Sequence, residues 1–317
     1  MRFLLAIAAA VLAAYALSLY LTVPANPEVK FWRHAIERRD AEIAAVRASR
    51  PGTPVILFTG GSSTAFSIDP RIIEETCLLP AFNLGLPVSA GAPYLLHQAF
   101  KRTQPGDILV VCLEADILAS GGEMQASPLA FSLSLLDHDP TGADGGATLD
   151  EGLAPRELLN LPRPGARYLS TLAARIVTGK DYRYTLSDIR YHGRIETPIS
   201  DPTIAPLEKA TQRHLHPDGA ALLRKLSAAA KPRGVRLFYS MPWRWTLADH
   251  ADAWREANLR FLNEIGEIIP ILDDGTRGVG TQREHFSDSV QHLTAAGSAE
   301  RTKALAGALR PMLNVEF

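Results

Sequence analysis

The sequence predicts an α/β fold built on a doubly wound parallel sheet. Short apolar runs bounded by turn residues alternate with helix-like segments over residues 53–118, and again over 219–274. The chain has 317 residues, 46% of them apolar, which is enough to bury a substantial core. A third observation, an uninterrupted apolar run near the start, adds a segment long enough to cross a membrane.

This first segment runs from Phe3 to Val23 without a charge. At about 1.5 Å per residue it covers a hydrocarbon core, so it is either a retained anchor or an export signal. The residues around its end, LYLTVPANP, offer no clean cleavage site, which favours an anchor over residues 1–26. With the short N-terminus inside, the remainder lies outside the cytoplasmic membrane, in the periplasm, although basic residues from Lys30 onward weaken the charge asymmetry.

A charged helical segment over 27–50 follows, which predicts a stalk or a flanking helix, and Pro51-Gly52 ends it. The next elements alternate as strand, helix, strand, helix and strand at 53–60, 69–79, 81–87, 91–106 and 107–118. Asp69 and Pro70 are typical of a helix start.

The alternation lapses over residues 119–215, which are rich in glycine and proline and predict an inserted cap region. It returns as helix, strand, helix and strand at 219–234, 235–243, 248–266 and 267–274, before a C-terminal helix. The predicted α/β domain therefore consists of 51–118 and 216–317.

Charge and cysteine content exclude several classes of function. The formal net charge is −1 and no block of like charges occurs, so no nucleic-acid partner is expected. The two cysteines, Cys77 and Cys112, specify neither a disulfide framework nor a zinc cluster, although a single bridge stays open. No metal or cofactor is expected.

The stretch FTGGSSTAFSID, residues 58–69, has three interpretations: a phosphate loop, a turn without chemistry, or a nucleophile at a strand end. It lacks the lysine of a Walker loop and the third glycine of a dinucleotide fingerprint. Its serines follow the first strand of an open parallel sheet, where reactive groups gather. That position favours the nucleophile.

A serine nucleophile needs an oriented base. Asp288 and His292 precede the last helix and are four residues apart, so they can share one face of a turn. In that arrangement Asp288 accepts from one ring nitrogen while the other faces the serine.

These blocks resemble the SGNH (GDSL-like) hydrolase superfamily, in particular its membrane-anchored branch that modifies envelope polysaccharides, DltD-like and alginate acetylation proteins. The resemblance covers about 53–118 and 219–310, and implies a three-layer, flavodoxin-like sheet. Matching Gly61-Ser62-Ser63 to the first family block makes Ser63 the nucleophile and puts Ser62 at the family's Asp position.

The same resemblance implies an oxyanion hole made by backbone N–H groups of Ser63 and of Gly85 or Gly91. The family's third block carries an Asn, but Ala115 stands there in the sequence LEAD. The neighbouring Glu114 is a poor substitute, because a carboxylate repels an oxyanion. The Asp-His spacing also exceeds the family's usual one by a residue.

The aromatic sequence MPWRW follows a strand of the second half. Trp243 and Trp245 are candidates to stack on sugar rings, with Arg244 contacting a carboxylate or phosphate. The alternative is that these tryptophans pack against the insertion.

Together these features predict an extracytoplasmic, single-pass esterase or O-acyltransferase, with acetyl as the expected group, acting on an envelope or exported polysaccharide. Two alternatives stay open. One is a non-catalytic polysaccharide-binding or assembly subunit that keeps the fold, and the other is an accessory partner of a membrane-bound O-acyltransferase.

Overall fold

The computed structural model describes residues 1–120, 133, 177, 184–196 and 200–313. In this part of the chain, four parallel strands form the central sheet in the order β2-β1-β3-β4. The strands are β1 (Ile56–Gly60), β2 (Ala81–Asn83), β3 (Ile108–Cys112) and β4 (Arg236–Tyr239). The predicted parallel α/β architecture is confirmed, while most of the cap predicted at 119–215 lies outside the described residues.

Nine α-helices are described: α1 (Arg2–Thr22), α2 (Pro27–Ser49), α3 (Ser62–Ser67), α4 (Pro70–Cys77), α5 (Ala92–Phe100), α6 (Ala115–Ala119), α7 (Pro217–Ala230), α8 (Ala251–Gly266) and α9 (Ala295–Leu313). The side chains of Asn26 and Asp69 cap α2 and α4 by accepting from backbone N–H groups two residues on. Two short strands, β5 (Arg244–Trp245) and β6 (Val279–Gly280), pair separately from the main sheet.

Some predicted strands were wrong in extent. The run 107–118 leaves the sheet after Cys112 and begins α6 at Ala115. The run 267–274 contributes only a bridge between Ile271 and Tyr239. Pro270 lacks the N–H that a longer ladder requires there.

The sheet is covered on both faces. Alternate residues such as Leu57 and Leu109 face a core built with α2, α5 and α7, whereas Phe58 and Val110 face a second core built with α4 and α9. Described strands and helices therefore form three layers. Cys77 and Cys112 are free thiols buried in the second core.

The two N-terminal helices differ in their surroundings. Helix α1 is apolar, unburied and long enough to cross a membrane or to serve as a signal sequence. Helix α2 has the predicted bounds, but it is not a free-standing stalk. Phe31, Trp32 and Ala35 are buried against the sheet domain.

The strand order places a switch point at β1. The chain goes from β1 to β2 on one side and then crosses to β3 on the other side. Ligands of open parallel sheets bind outside the carboxyl ends of strands at such points. Here these ends continue into α3 and into Glu114.

Gly60 ends β1 opposite Cys112. A Cβ at Gly60 would collide with the Cys112 carbonyl and the Thr64 hydroxyl. We expect Gly60→Ala to destabilise the fold by about 3 kcal/mol. In thermal unfolding of the nanodisc-held chain, the control Gly307→Ala, on an open helix surface, should stabilise by about 0.5 kcal/mol. Equal melting of the two variants would contradict this packing.

Candidate functional site

The site contains a Ser-His-Asp relay built on Ser62. Ser62 is the first residue of α3, directly after β1. Its Oγ lies 2.9 Å from His292 Nε2, and His292 Nδ1 lies 2.8 Å from Asp288 Oδ1. Because the carboxylate only accepts, Nδ1 carries the proton and Nε2 accepts from Ser62. This is the hydrogen-bond order of a nucleophile, a base and an orienting acid.

Asp288 and His292 lie in a tight loop rather than on a helical turn. An antiparallel bridge between Phe286 and Leu293 closes the loop at its base. The backbone N–H of Ser287 donates to the His292 carbonyl at 2.9 Å. Inside the loop, Ser289 Oγ accepts from the His292 N–H at 3.0 Å. The loop thus brings the predicted pair together despite its unusual spacing.

The acid of the relay is removed from solvent. The Asp288 side chain is 0% exposed, whereas that of His292 is 15% exposed. Tyr184 donates its hydroxyl to Asp288 Oδ2 at 3.1 Å, so both carboxylate oxygens have a partner. The imidazole stacks on Phe66, with ring centroids 4.4 Å apart. Hydrogen bonding and stacking together fix the ring orientation.

Ser63 does not face the histidine, so the expectation that it supplies the nucleophilic hydroxyl is wrong in geometry. Its Oγ donates to Glu114 Oε1 at 2.6 Å and is fully buried. Consecutive residues at the start of a helix point about 100° apart, so only one of the two serines can reach His292. In the structure it is the Ser62 hydroxyl that faces His292.

The Glu114 carboxyl group lies against the N-terminal end of α3. Besides the Ser63 hydroxyl, it accepts the backbone N–H groups of Ser63 and Gly61, each at 3.2 Å. A Cβ at Gly61 would collide with this carboxyl group, so the close approach requires glycine. Burial raises the pKa of Glu114, against the lowering effect of these hydrogen bonds. The neutral acid is therefore favoured more than in water.

The three predicted oxyanion donors are already engaged. The N–H of Ser63 donates to Glu114, that of Gly85 to Asn83 Oδ1 at 3.0 Å, and that of Gly91 to the Val88 carbonyl at 3.0 Å. In the described conformation these N–H groups are not free to bind an oxyanion, because each one already donates to an acceptor in a local cap or turn. Within the described ranges, no acceptor contacts the Ser62 N–H, which leaves it as the candidate donor.

The tryptophans of the aromatic sequence MPWRW also differ from the prediction. Trp243 and Trp245 are 4% and 8% exposed and pack with Phe286 and Leu293, so neither presents a face to a sugar. Trp243 Nε1 donates to Asp274 at 3.0 Å. These tryptophans instead support the loop that carries His292.

Arg244 is likewise engaged in a network. Its Nη2 lies 2.8 Å from Asp116 Oδ2, and Arg213 Nε lies 2.7 Å from Asp116 Oδ1. When the side-chain amide of Gln291 is oriented so that its oxygen and its nitrogen both find partners, the oxygen accepts from Arg244 Nε and Nη2 at 3.2 Å. Arg244 is therefore already paired in this structure and ties the start of α6 to the histidine loop, while its contact with a substrate carboxylate or phosphate stays a prediction.

The described side chains form no group of three or more His, Cys, Asp or Glu residues able to hold a metal ion. A scan against protein-family models finds no match for the chain, and a search of curated proteins finds none. The chemistry open to the site therefore follows from its own geometry.

The raised pKa of Glu114 has a consequence for stability. A carboxyl group whose folded-state pKa exceeds its unfolded-state pKa stabilises the fold fully at low pH, and this stability is lost as pH rises through the folded pKa. We expect the wild type to lose stability as pH rises above the ordinary pKa of a carboxyl group, more steeply than Glu114→Gln, which cannot ionise. Unfolding free energies measured across this range test the slope, and parallel curves would contradict it.

Proposed function

We propose that the chain is an extracytoplasmic, serine-dependent acyl-ester hydrolase or O-acyltransferase, anchored by α1, that acts on an envelope or exported polysaccharide. The observation that carries the chemistry is the unbroken relay from Ser62 through His292 to the buried Asp288. The polysaccharide substrate, the acetyl group and the periplasmic location rest on the resemblance of the sequence blocks to the SGNH superfamily.

In this mechanism His292 takes the proton of Ser62 as the hydroxyl attacks the ester carbonyl. Asp288 holds the imidazole and stabilises its charged form. The N–H of Ser62 donates to the oxyanion of the tetrahedral intermediate. As the intermediate collapses, the protonated His292 gives its proton to the leaving alcohol oxygen, and an acyl-Ser62 ester remains. Water or a sugar hydroxyl, deprotonated by the neutral His292, then attacks this ester, and His292 returns the proton to Ser62 as the acyl group leaves it.

A fluorophosphonate probe tests the nucleophile directly, because it reacts only with an activated serine. We expect mass spectrometry to find the adduct on Ser62, and His292→Ala to abolish it. An adduct on another residue, or one that forms equally in His292→Ala, would argue against the relay.

One observation favours the alternative of a non-catalytic polysaccharide-binding or assembly subunit. Among the N–H groups of Ser62, Ser63, Gly85 and Gly91, that of Ser62 alone is open as an oxyanion donor, and the carboxyl group of Glu114 bonds to the N–H groups on either side of it. Loss of one donor typically costs about 3 kcal/mol of transition-state stabilisation. A chain that binds polymer yet resists the fluorophosphonate would support this alternative, as it would the role of an accessory acyltransferase partner.

A further inference from the structure

The connection between α1 and α2 is short and compact. Only residues 23–26 separate the two helices. The N–H of Val23 donates to Leu19 at 3.0 Å, and that of Ala25 donates to Tyr20 at 2.9 Å, so the link winds rather than extends. Asn26 then caps α2. The link is therefore not a long tether.

Helix α2 is fixed to the sheet domain along its length. Arg38 and Arg39 donate to the carbonyls of Ile189 and Gly193 at 2.9 and 2.8 Å. Near its end, Arg47 pairs with the buried Asp107 at 2.7 Å. Side chains such as Trp32 bury the rest of this face. Such a helix cannot swing away from the domain without breaking its core.

An aromatic path leads from the first turns of α2 to the relay. The Phe31 ring centroid lies 6.0 Å from that of Tyr184, which lies 5.1 Å from that of Phe66. Phe66 stacks on His292, and the Tyr184 hydroxyl donates to Asp288. With the rise of α2 included, the relay lies on the order of 20 Å from the end of α1.

We propose that the site works at the membrane surface, on acyl esters held in the bilayer by a lipid chain. This rests on the proposed anchor and on the proposed ester chemistry. The headgroup layer is itself about 5 to 7 Å deep, so the domain rests against it rather than reaching far beyond. The exposed Lys30 lies on the first turns of α2, where it complements anionic headgroups, whereas the partly exposed Arg33 beside it pairs with Glu37.

The position of the site can be measured without any activity. Cys77 and Cys112 are buried, so a maleimide dye labels Leu186→Cys, an exposed position two residues after Tyr184. In nanodiscs with acceptor-labelled headgroups, we expect strong energy transfer from this dye. Four EAAAK repeats inserted between Ala25 and Asn26 should lift the domain by about 30 Å and sharply reduce the transfer. The same repeats appended after Phe317 are the matched control.

Two glucosides that carry the same acetylated sugar and differ only in the alkyl chain then test the substrate class. We expect the chain to release acetate from a vesicle-held hexadecyl glucoside at least tenfold faster than from the soluble methyl glucoside, and the spacer to abolish this preference. Soluble hydrolysis should be the same in both chains. Equal energy transfer with and without the spacer, or a preference that survives it, would overturn the inference. Loss of all hydrolysis with the transfer intact would instead count against the proposed ester chemistry and also against lipid-held esters.

Discussion

Ser62→Ala is expected to lower kcat for a chromogenic acetyl ester on the order of 10⁵-fold, because it removes the only hydroxyl that hydrogen-bonds to His292 Nε2 among the described residues. Folding should be little affected. Ser62 is partly exposed and is the first helical residue rather than the N-cap, so alanine is tolerated there. Steady-state kinetics and thermal unfolding of the same preparations separate the two effects.

Ser63→Ala is the matched control, because the two serines are neighbours with identical chemistry and different partners. Removing the Ser63 hydroxyl leaves Glu114 Oε1 without a buried hydroxyl donor, which should cost about 1 to 3 kcal/mol of stability. The relay stays intact, so we expect kcat to remain within about tenfold of wild type. If Ser63→Ala were the inactive variant and Ser62→Ala the active one, Ser63 would be restored as the nucleophile.

The sequence predicted the architecture well where periodicity and turn residues agree. The runs after Pro54, Pro80 and Gly106 each contain a buried parallel strand, and α2 has its predicted ends because Pro27 and Pro51 mark them. The strand predicted at 267–274 failed because apolar content alone does not show where a ladder ends. Helix α3 was missed because its six residues are too short for helical periodicity to appear.

The candidate site was predictable only to within one residue at the nucleophile. Asp288 and His292 were predicted from their position just before the last helix. In a parallel α/β sheet, such a segment lies at the same edge of the sheet as the residues that follow β1. Choosing between Ser62 and Ser63 depends on where the helix begins. The resemblance to a three-residue block favoured Ser63, whereas the hydroxyl that hydrogen-bonds to His292 is that of Ser62. A serine directly after the two glycines that end the strand was the available signal.

Glu114 and Tyr184 show why the remainder could not be predicted. Glu114 is an acid placed at the end of an apolar strand, and its sequence gives no sign that three donors at residues 61–63 converge on it. Tyr184 reaches Asp288 from 104 positions away. Trp243 and Trp245 illustrate the opposite error, because aromatic residues predicted to stack on sugar rings are buried against the loop that they support.

Asp288→Asn should lower kcat on the order of 10⁴-fold while leaving the fold intact. The carboxylate requires a proton on His292 Nδ1, which leaves Nε2 free to accept from Ser62. An amide at this position has a nitrogen that donates, so it permits the opposite tautomer, and it no longer compensates the charged imidazole. Ester kinetics should show the loss in kcat with little change in KM, since Asp288 is buried away from substrate.

Tyr184→Phe is the conservative counterpart, because it removes only the hydroxyl that donates to the second oxygen of Asp288. The ring contacts with Phe31 and Phe66 are kept, so the packing between α2 and the relay survives. We expect kcat to fall by about tenfold, in line with one hydrogen bond to a charged group. A loss in Tyr184→Phe as large as that in Asp288→Asn would mean that Asp288 acts through Tyr184 rather than through His292, whereas full activity in Asp288→Asn would remove the acid from the mechanism.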